Sequence, residues 1–183
     1  MKKVVLYYIP GENRIMKQLE FLFKKEKTFS ASPKSCAFTG HRHLGEDFSA
    51  RKLKKEIKKM MEAGAETFYN GMAMGFDLLA AEQVLDLKKK FPEVKLVACV
   101  PCYGQEKYFP EEDKERYARI LKKADEVVTL SDHYYNGCMQ NRDRYMVDRA
   151  DALIAYCRKE EGGAAYTVKY FLKTKNEENI VYV

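Results

Sequence analysis

Short apolar runs alternate with longer amphipathic stretches along most of the chain. Runs rich in β-branched, aromatic and small apolar residues, typical of buried strands, lie at CAFT (36–39), ETFYNG (66–71), VKLVACV (94–100), EVVTL (126–130), DALIAYC (151–157) and NIVYV (179–183). The stretches between them carry apolar residues at helical spacing. Strands alternating with helices of roughly ten or more residues predict βαβ crossovers and a parallel sheet covered on both faces. We therefore expect a single Rossmann-like α/β domain.

The stretch 48–64 shows the helical spacing most clearly. It places Leu53, Ile57, Met60 and Met61 on one side and ends at Gly64, a residue that commonly stops helices. By the same reasoning, four further helices are predicted over 76–90, 111–124, 138–150 and 163–174.

The first 35 residues follow a separate pattern. VVLYYIP predicts a strand, NRIMKQLEFLFKKEK predicts an amphipathic helix, and TFSASPKS (28–35) has the composition of a linker. This unit either adds an edge strand and helix to the main sheet or forms a contact between copies of the chain. The second arrangement would make the protein a homo-oligomer. We divide the chain into a strand-helix extension (1–35) and a Rossmann-like domain (36–183).

Composition places the chain among ordinary globular proteins. It has 183 residues, of which 46% are hydrophobic and 33% charged. No stretch approaches the roughly 20 apolar residues that cross a bilayer, and the first residues lack a signal-peptide pattern, so we expect a cytoplasmic protein without a membrane partner. The net charge of +6 comes largely from lysines that face away from the apolar helix stripes, which indicates a solvated surface.

Candidate chemistry follows the predicted strands, where open α/β sheets bind ligands. After the first strand, Gly40 permits close backbone approach and Arg42 can pair with phosphate. NGMAMGFD (70–77) opens a helix with Asp77 as predicted N-cap, and EEGGAAYT (160–167) opens another. The segment 70–77 is neither a dinucleotide fingerprint nor a P-loop. Three such turns in one sheet favour a phosphate-bearing, nucleotide-like ligand.

These segments also carry a family resemblance. FTGHR, FYNGMAMGFDLLAAEQVL, NRDRYMVDRADALIAY and GGAAYTVKYF resemble the YpsA-like branch of the SLOG superfamily, over residues 36 to about 175. That superfamily also contains the Lonely Guy nucleoside-phosphate hydrolases and the DNA-processing protein DprA. The resemblance implies a Rossmann-like domain with a pocket formed by these turns. Combined with the residue patterns, it predicts the ligand-binding residues Thr39, Gly40, His41, Arg42, Gly71, Met72, Gly75, Phe76, Asp77, Arg142, Arg144, Gly162, Gly163, Tyr166 and Thr167.

The chain departs from the Lonely Guy pattern Pro-Gly-Gly-x-Gly-Thr-x-x-Glu. Glu161 replaces the proline, and the following helix carries no matching carboxylate. Catalysis is therefore not expected, and the leading hypothesis is a sensor or sequestering module for a nucleotide-derived small molecule. The alternative is a hydrolase of an N-glycosidic or phosphate bond, with Glu82, Asp77 or His133 as catalytic candidates. Single-stranded DNA binding like that of DprA is a third hypothesis, and the sparse basic residues favour a small molecule over nucleic acid.

Other constellations do not add a cofactor or a metal. His41 and His43 follow the strand that Cys36 begins, so they do not provide the three or four converging ligands that zinc requires. The Cys99-Val-Pro-Cys102 spacing places its first cysteine inside a strand, which argues against a redox site. The loops predicted beside the pocket contain aromatic residues that can stack a base, namely Tyr103, Tyr108, Phe109, Tyr134 and Tyr135.

Overall fold

A parallel sheet of six strands forms the centre of the computed structural model, which describes residues 32–183. The strands are β1 (Ser35–Gly40), β2 (Thr67–Asn70), β3 (Lys95–Val100), β4 (Glu126–Thr129), β5 (Ala152–Tyr156) and β6 (Ile180–Tyr182). Every one of these strands overlaps a predicted apolar run, which confirms the Rossmann-like α/β fold. The predicted strand-helix extension (1–35) lies almost entirely outside the described residues.

Five α-helices within residues 32–183 cover the sheet on its two faces. They are α1 (Ala50–Glu62), α2 (Phe76–Leu87), α3 (Glu111–Lys123), α4 (Cys138–Arg149) and α5 (Gly163–Thr174). The first three pack in sequence on one face, and α4 packs against α5 on the other. Successive side chains of β1 point to opposite faces of the sheet. Phe38 belongs to the core under α1 and α2, whereas Ala37 belongs to the core under α4 and α5.

Helix α1 shows how local sequence fixes an element. Ser49 caps its N-terminus by accepting a hydrogen bond from the backbone N–H of Lys52 at 3.2 Å. Its buried residues are Leu53, Ile57, Met60 and Met61, the stripe that the spacing predicted. None of the helices within residues 32–183 is long and apolar enough to cross a membrane.

The strand order places a crevice beside β1. Neighbouring strands run β4-β3-β2-β1-β5-β6, so the chain proceeds outward from β1 to β4 and then crosses over to β5 on the other side of β1. Strand β1 pairs with β2 on one side and with β5 on the other, all in parallel. This reversal of direction is a topological switch point, and ligands of open α/β sheets bind beyond the strand ends there.

Candidate ligand-binding site

A cavity of about 270 Å³, here called the polar cavity, lies at the switch point beyond the carboxyl end of β1. Its wall combines residues from the β1–α1 loop, the β2–α2 turn, α4 and the start of α5. It is lined by Phe38, Thr39, Gly40, His41, Arg42, Ala73, Asp77, Met139, Arg142, Asp143, Gly163 and Ala164. The fold thus brings segments from four separate regions of the chain to one place.

A buried arginine organises the wall formed by α4. Arg142 is 6% exposed, its Nε donates to Asp143 Oδ1 at 2.8 Å, and its guanidinium also donates to the carbonyl of Gly71. Burial opposes the charged guanidinium, but the carboxylates of Asp143 and Asp77 outweigh it and raise the pKa of Arg142. Because its hydrogen bonds join α4 to the β2–α2 turn, Arg142 acts first as a structural connector.

Asp77 is the second buried charge-bearing group of the polar cavity. Its Oδ2 accepts a hydrogen bond from the backbone N–H of Ala73 at 3.3 Å. Burial raises the pKa of Asp77 to about 7, although the nearby Arg142 charge and the Ala73 N–H both lower it. The charge of the polar cavity therefore changes near neutral pH.

The β2–α2 turn (71–75) is held in shape by Asn70. This buried side chain accepts from the backbone N–H of Met72 at 2.8 Å and donates to the carbonyl of Asp77 at 2.8 Å. Met72 is held at φ 57°, in the left-handed region. The predicted N-cap was wrong: Gly75 caps α2, and Asp77 lies within the first helical turn, where it reaches back to the turn.

The glycines of this turn face protein atoms. A side chain at Gly71 would overlap the Arg142 guanidinium, and one at Gly75 would overlap the backbone carbonyl of Arg42. Gly75 also adopts φ +78°, which L-residues rarely adopt. At the end of β1, a side chain at Gly40 would overlap the ring of Phe76. These glycines let neighbouring segments approach closely enough to form the wall of the cavity.

The β5–α5 turn (157–162) is packed differently. Gly162 caps α5 at φ 97°, and apart from its chain neighbours and the backbone of its own helix, no described heavy atom lies within 4 Å of a Cβ built on Gly163. No side chain within residues 32–183 caps α5, and its first turn carries no acidic residue. Gly163 and Ala164 line the polar cavity. The first backbone N–H groups of α5 therefore lie beside open space, an arrangement that suits an anion.

His41 and Arg42 complete the wall at the β1–α1 loop. His41 Nε2 accepts from the backbone N–H of Arg158 at 2.8 Å, and its ring meets Tyr156 edge-on at 5.5 Å. Burial and the nearby positive charges of Lys159 and Arg158 lower the pKa of His41, which favours the neutral ring that accepts this hydrogen bond. No salt bridge within residues 32–183 involves Arg42, whose exposed side chain borders the cavity. Arg42 is thus available to a ligand anion.

The remaining predicted binding residues lie outside the lining of the polar cavity. Met72 and Phe76 are fully buried in the core beneath it. The Thr167 hydroxyl donates to the carbonyl of Gly163, one turn earlier in α5, at 2.9 Å. Arg144 donates to the Tyr166 hydroxyl at 3.4 Å on the outer side of α4 and α5.

Two of the three catalytic candidates also lie elsewhere. Glu82 accepts two hydrogen bonds from Arg116, at 3.0 and 2.8 Å, and borders a depression between α2 and α3. His133 is exposed and lies outside the lining of both cavities described here. Asp77 lines the polar cavity. Within residues 32–183, no group of three or more His, Cys, Asp or Glu side chains is arranged to hold a metal ion.

A second cavity of about 470 Å³, here called the aromatic cavity, adjoins the first. Residues of the β3–α3 and β4–α4 loops form most of its wall, and it shares Arg42, Ala73 and Met139 with the polar cavity. It is lined by Arg42, Ala73, Met74, Cys102, Tyr103, Gly104, Gln105, Lys107, Tyr108, Phe109, Tyr134 and Met139. Four of the five aromatic residues predicted beside the pocket occur here, and Tyr135 does not.

Sequence reasoning missed several wall residues. Asp143 is the ion-pair partner of Arg142, and its place beside Arg142 in NRDR was the available signal. Ala73, Met139 and Ala164 are small or apolar residues with no chemical signature, so only the folded arrangement reveals that they line the cavity. Gln105 donates to the carbonyl of Gly71 at 3.2 Å from a loop distant in sequence.

Solved structures with this fold include two DNA-processing proteins. DprA from Helicobacter pylori, described for its single-stranded DNA binding mode, superposes with a TM-score of 0.60 at 16% identity, covering 82% of this chain and 65% of that chain. DprA from Streptococcus pneumoniae gives a TM-score of 0.58 at 16% identity, covering 91% of this chain and 65% of that one. The chain thus spans just under two thirds of each DprA chain, and the likeness concerns the fold.

Sequence comparison defines the family more narrowly. The YpsA family model, described as "YspA SLOG family", matches residues 40–183. UPF0398 protein YpsA from Bacillus subtilis is 30% identical over 153 residues, covering 77% of this chain and 83% of that protein. A UPF0398 protein from Halalkalibacterium halodurans is 29% identical over 141 residues, with 75% of each chain covered. The chain belongs to the YpsA SLOG family.

Proposed function

We propose that the chain binds a phosphorylated small molecule of the nucleotide class in the polar cavity, as a sensor or sequestering module. The observation that carries this proposal is the convergence of Arg42 and the uncapped start of α5 on one open space. Both features are cationic in character, and no salt bridge within residues 32–183 involves Arg42. Asp143 pairs with Arg142, and Asp77 is the other carboxyl group of the lining. Arg42 and the helix start therefore attract an anion most strongly while Asp77 is protonated.

The same geometry argues against a complete hydrolytic site. Cleavage of a glycosidic or phosphate bond needs an acid or base beside the reacting atoms. Glu82 is occupied by Arg116, and His133 lies outside both cavities. Asp77 lines the polar cavity with a pKa near neutrality, so it is the group through which a hydrolase would act. A hydrolase that uses Asp77 is therefore the alternative function.

The binding proposal is tested by calorimetry of the purified chain with AMP, ADP and ATP, while chromatography follows product formation. Arg42→Ala should weaken nucleotide binding about tenfold or more, because a charge-assisted contact to phosphate contributes roughly 1.5–3 kcal/mol. Arg51→Ala is the control. Arg51 is exposed on α1, outside both cavities, so the variant loses the same charge and should keep the affinity of wild type.

Three results would contradict the proposal. The proposal is wrong if none of AMP, ADP and ATP binds. It is also wrong if wild type and Arg42→Ala bind these nucleotides with equal affinity. If wild type forms product from a nucleotide and Asp77→Asn does not, the function is that of a hydrolase that uses Asp77. A short single-stranded oligonucleotide that binds in place of mononucleotides would move the function toward nucleic acid.

A further inference from the structure

The aromatic cavity opens directly beside the polar cavity. Arg42, Ala73 and Met139 belong to both linings, so a ligand held by a phosphate at the start of α5 can extend past Arg42 into the second space. The two loops that shape this space are tied together, because the backbone N–H of Tyr103 donates to the carbonyl of Ser131 at 3.3 Å. The aromatic cavity is thus a continuation of the same site.

Its wall exposes aromatic surface to solvent. Tyr103 and Tyr134 are each 67% exposed and Tyr108 is 86% exposed, whereas Phe109 packs edge-on against Tyr117 at 5.9 Å between ring centroids. The three tyrosines line one cavity, and the Lys107 ammonium lies 5.5 Å from the centroid of the Tyr108 ring. Their remaining exposed surface can stack on a planar heterocycle.

A buried polar atom lies at the same wall. Gln105 Nε2 donates to the carbonyl of Gly71, which also accepts from Arg142. The amide's other atom, Oε1, is buried and has no hydrogen-bond partner within the described residues. Buried acceptors are nearly always satisfied. Gln105 lines the aromatic cavity, so a small turn of its amide would let a ligand there donate to this oxygen. A ligand without an N–H or O–H group would fill the space but leave the Gln105 oxygen without a donor.

We infer that the aromatic cavity binds the base of the nucleotide, with the tyrosine rings stacking on it and Gln105 Oε1 accepting from an exocyclic amino group. This inference rests on the proposed function, because the phosphate in the polar cavity sets the position of the base. It narrows the ligand class to nucleotides with an amino-bearing base, such as AMP.

Three probes separate the two proposals: AMP, purine riboside 5′-monophosphate, which lacks the amino group, and ribose 5-phosphate, which lacks the base. AMP should bind about tenfold more tightly than the purine analogue and at least tenfold more tightly than the sugar phosphate, measured by calorimetry. Gln105→Leu should remove the preference for AMP over the purine analogue and leave affinity for ribose 5-phosphate unchanged.

Stacking is tested with Tyr108 and Tyr134, whose exposure makes their substitution compatible with folding. The double variant Tyr108→Ala, Tyr134→Ala should lose about tenfold in AMP affinity and none in ribose 5-phosphate affinity, whereas the double Phe variant should retain AMP binding. Tyr182→Ala is the matched control, since Tyr182 is exposed on β6 outside both cavities.

Equal binding of all three probes, with each still dependent on Arg42, would overturn the base assignment while preserving phosphate binding. Failure of all three to bind would overturn the proposed function itself. Retention of the AMP preference in Gln105→Leu would overturn the role of the amide.

Discussion

The β2–α2 turn and the β5–α5 turn both place glycines at the start of a helix beside the polar cavity, and they differ in what surrounds those glycines. Gly71 and Gly75 lie against the Arg142 guanidinium and the Arg42 backbone, whereas Gly163 faces open space. The first turn uses glycine to let protein segments approach one another. The second leaves room beside free backbone N–H groups. The comparison assigns a scaffolding role to one turn and a ligand-facing role to the other.

The largest loss of stability is expected when Arg142, which joins α4 to the β2–α2 turn, is replaced. Arg142→Met should lower the free energy of unfolding by about 3–5 kcal/mol, because it leaves the buried carboxylates of Asp77 and Asp143 without their cation. The matched control Arg144→Met, on the exposed side of the same helix, should change it by less than about 0.5 kcal/mol. Urea unfolding followed by circular dichroism measures both. Similar losses in the two variants would show that Arg142 is not a structural connector.

A slightly smaller effect is expected from Gly75→Ala. The methyl group would overlap the Arg42 carbonyl, and alanine at φ +78° is strained, so we expect a loss of about 2–4 kcal/mol in unfolding free energy. The same urea experiment measures it. A stability equal to wild type would show that the turn has room to shift, which would remove the contrast between the two turns.

Sequence patterns predicted the sheet and helices because hydrophobic periodicity is a local property. They also indicated that FTGHR, NGMAMGFD and EEGGAA meet at one edge, since parallel strands end together. They did not distinguish the two glycine turns, because the atoms that crowd Gly71 and Gly75 come from Arg142 and Arg42, in other segments of the chain. For the same reason, they predicted Arg142 only as a ligand contact and did not indicate its hydrogen bonds to Asp143 and to the carbonyl of Gly71.

The buried carboxyl of the first turn predicts a pH dependence of stability. The pKa of Asp77 is raised to about 7 in the folded chain, against about 3.9 for an unfolded aspartate. Between these values the folded state holds a proton that the unfolded state has lost, so Asp77 stabilises the fold at low pH and this contribution is lost as the pH rises through 7.

Asp77→Asn should therefore remove this dependence. Relative to the variant, wild type should become less stable by about 2 kcal/mol between pH 5 and pH 8. Urea midpoints at several pH values measure the difference, with Asp132→Asn in an exposed loop as the control for general charge effects. Parallel pH profiles for wild type and Asp77→Asn would show that Asp77 titrates in the ordinary range.

The smallest effect on stability is expected from Gly163→Ala, the counterpart of Gly75→Ala in the second turn. No described atom crowds a methyl group there, and alanine is the better helix former, so the unfolding free energy should stay within about 0.5 kcal/mol of wild type or rise slightly. The methyl group would instead enter the polar cavity beside the N–H groups of α5, and AMP should bind several-fold more weakly by calorimetry. A loss of stability as large as that of Gly75→Ala would mean that both turns are packed alike. Unchanged AMP affinity would place the phosphate away from α5, and Arg42 alone would then anchor it.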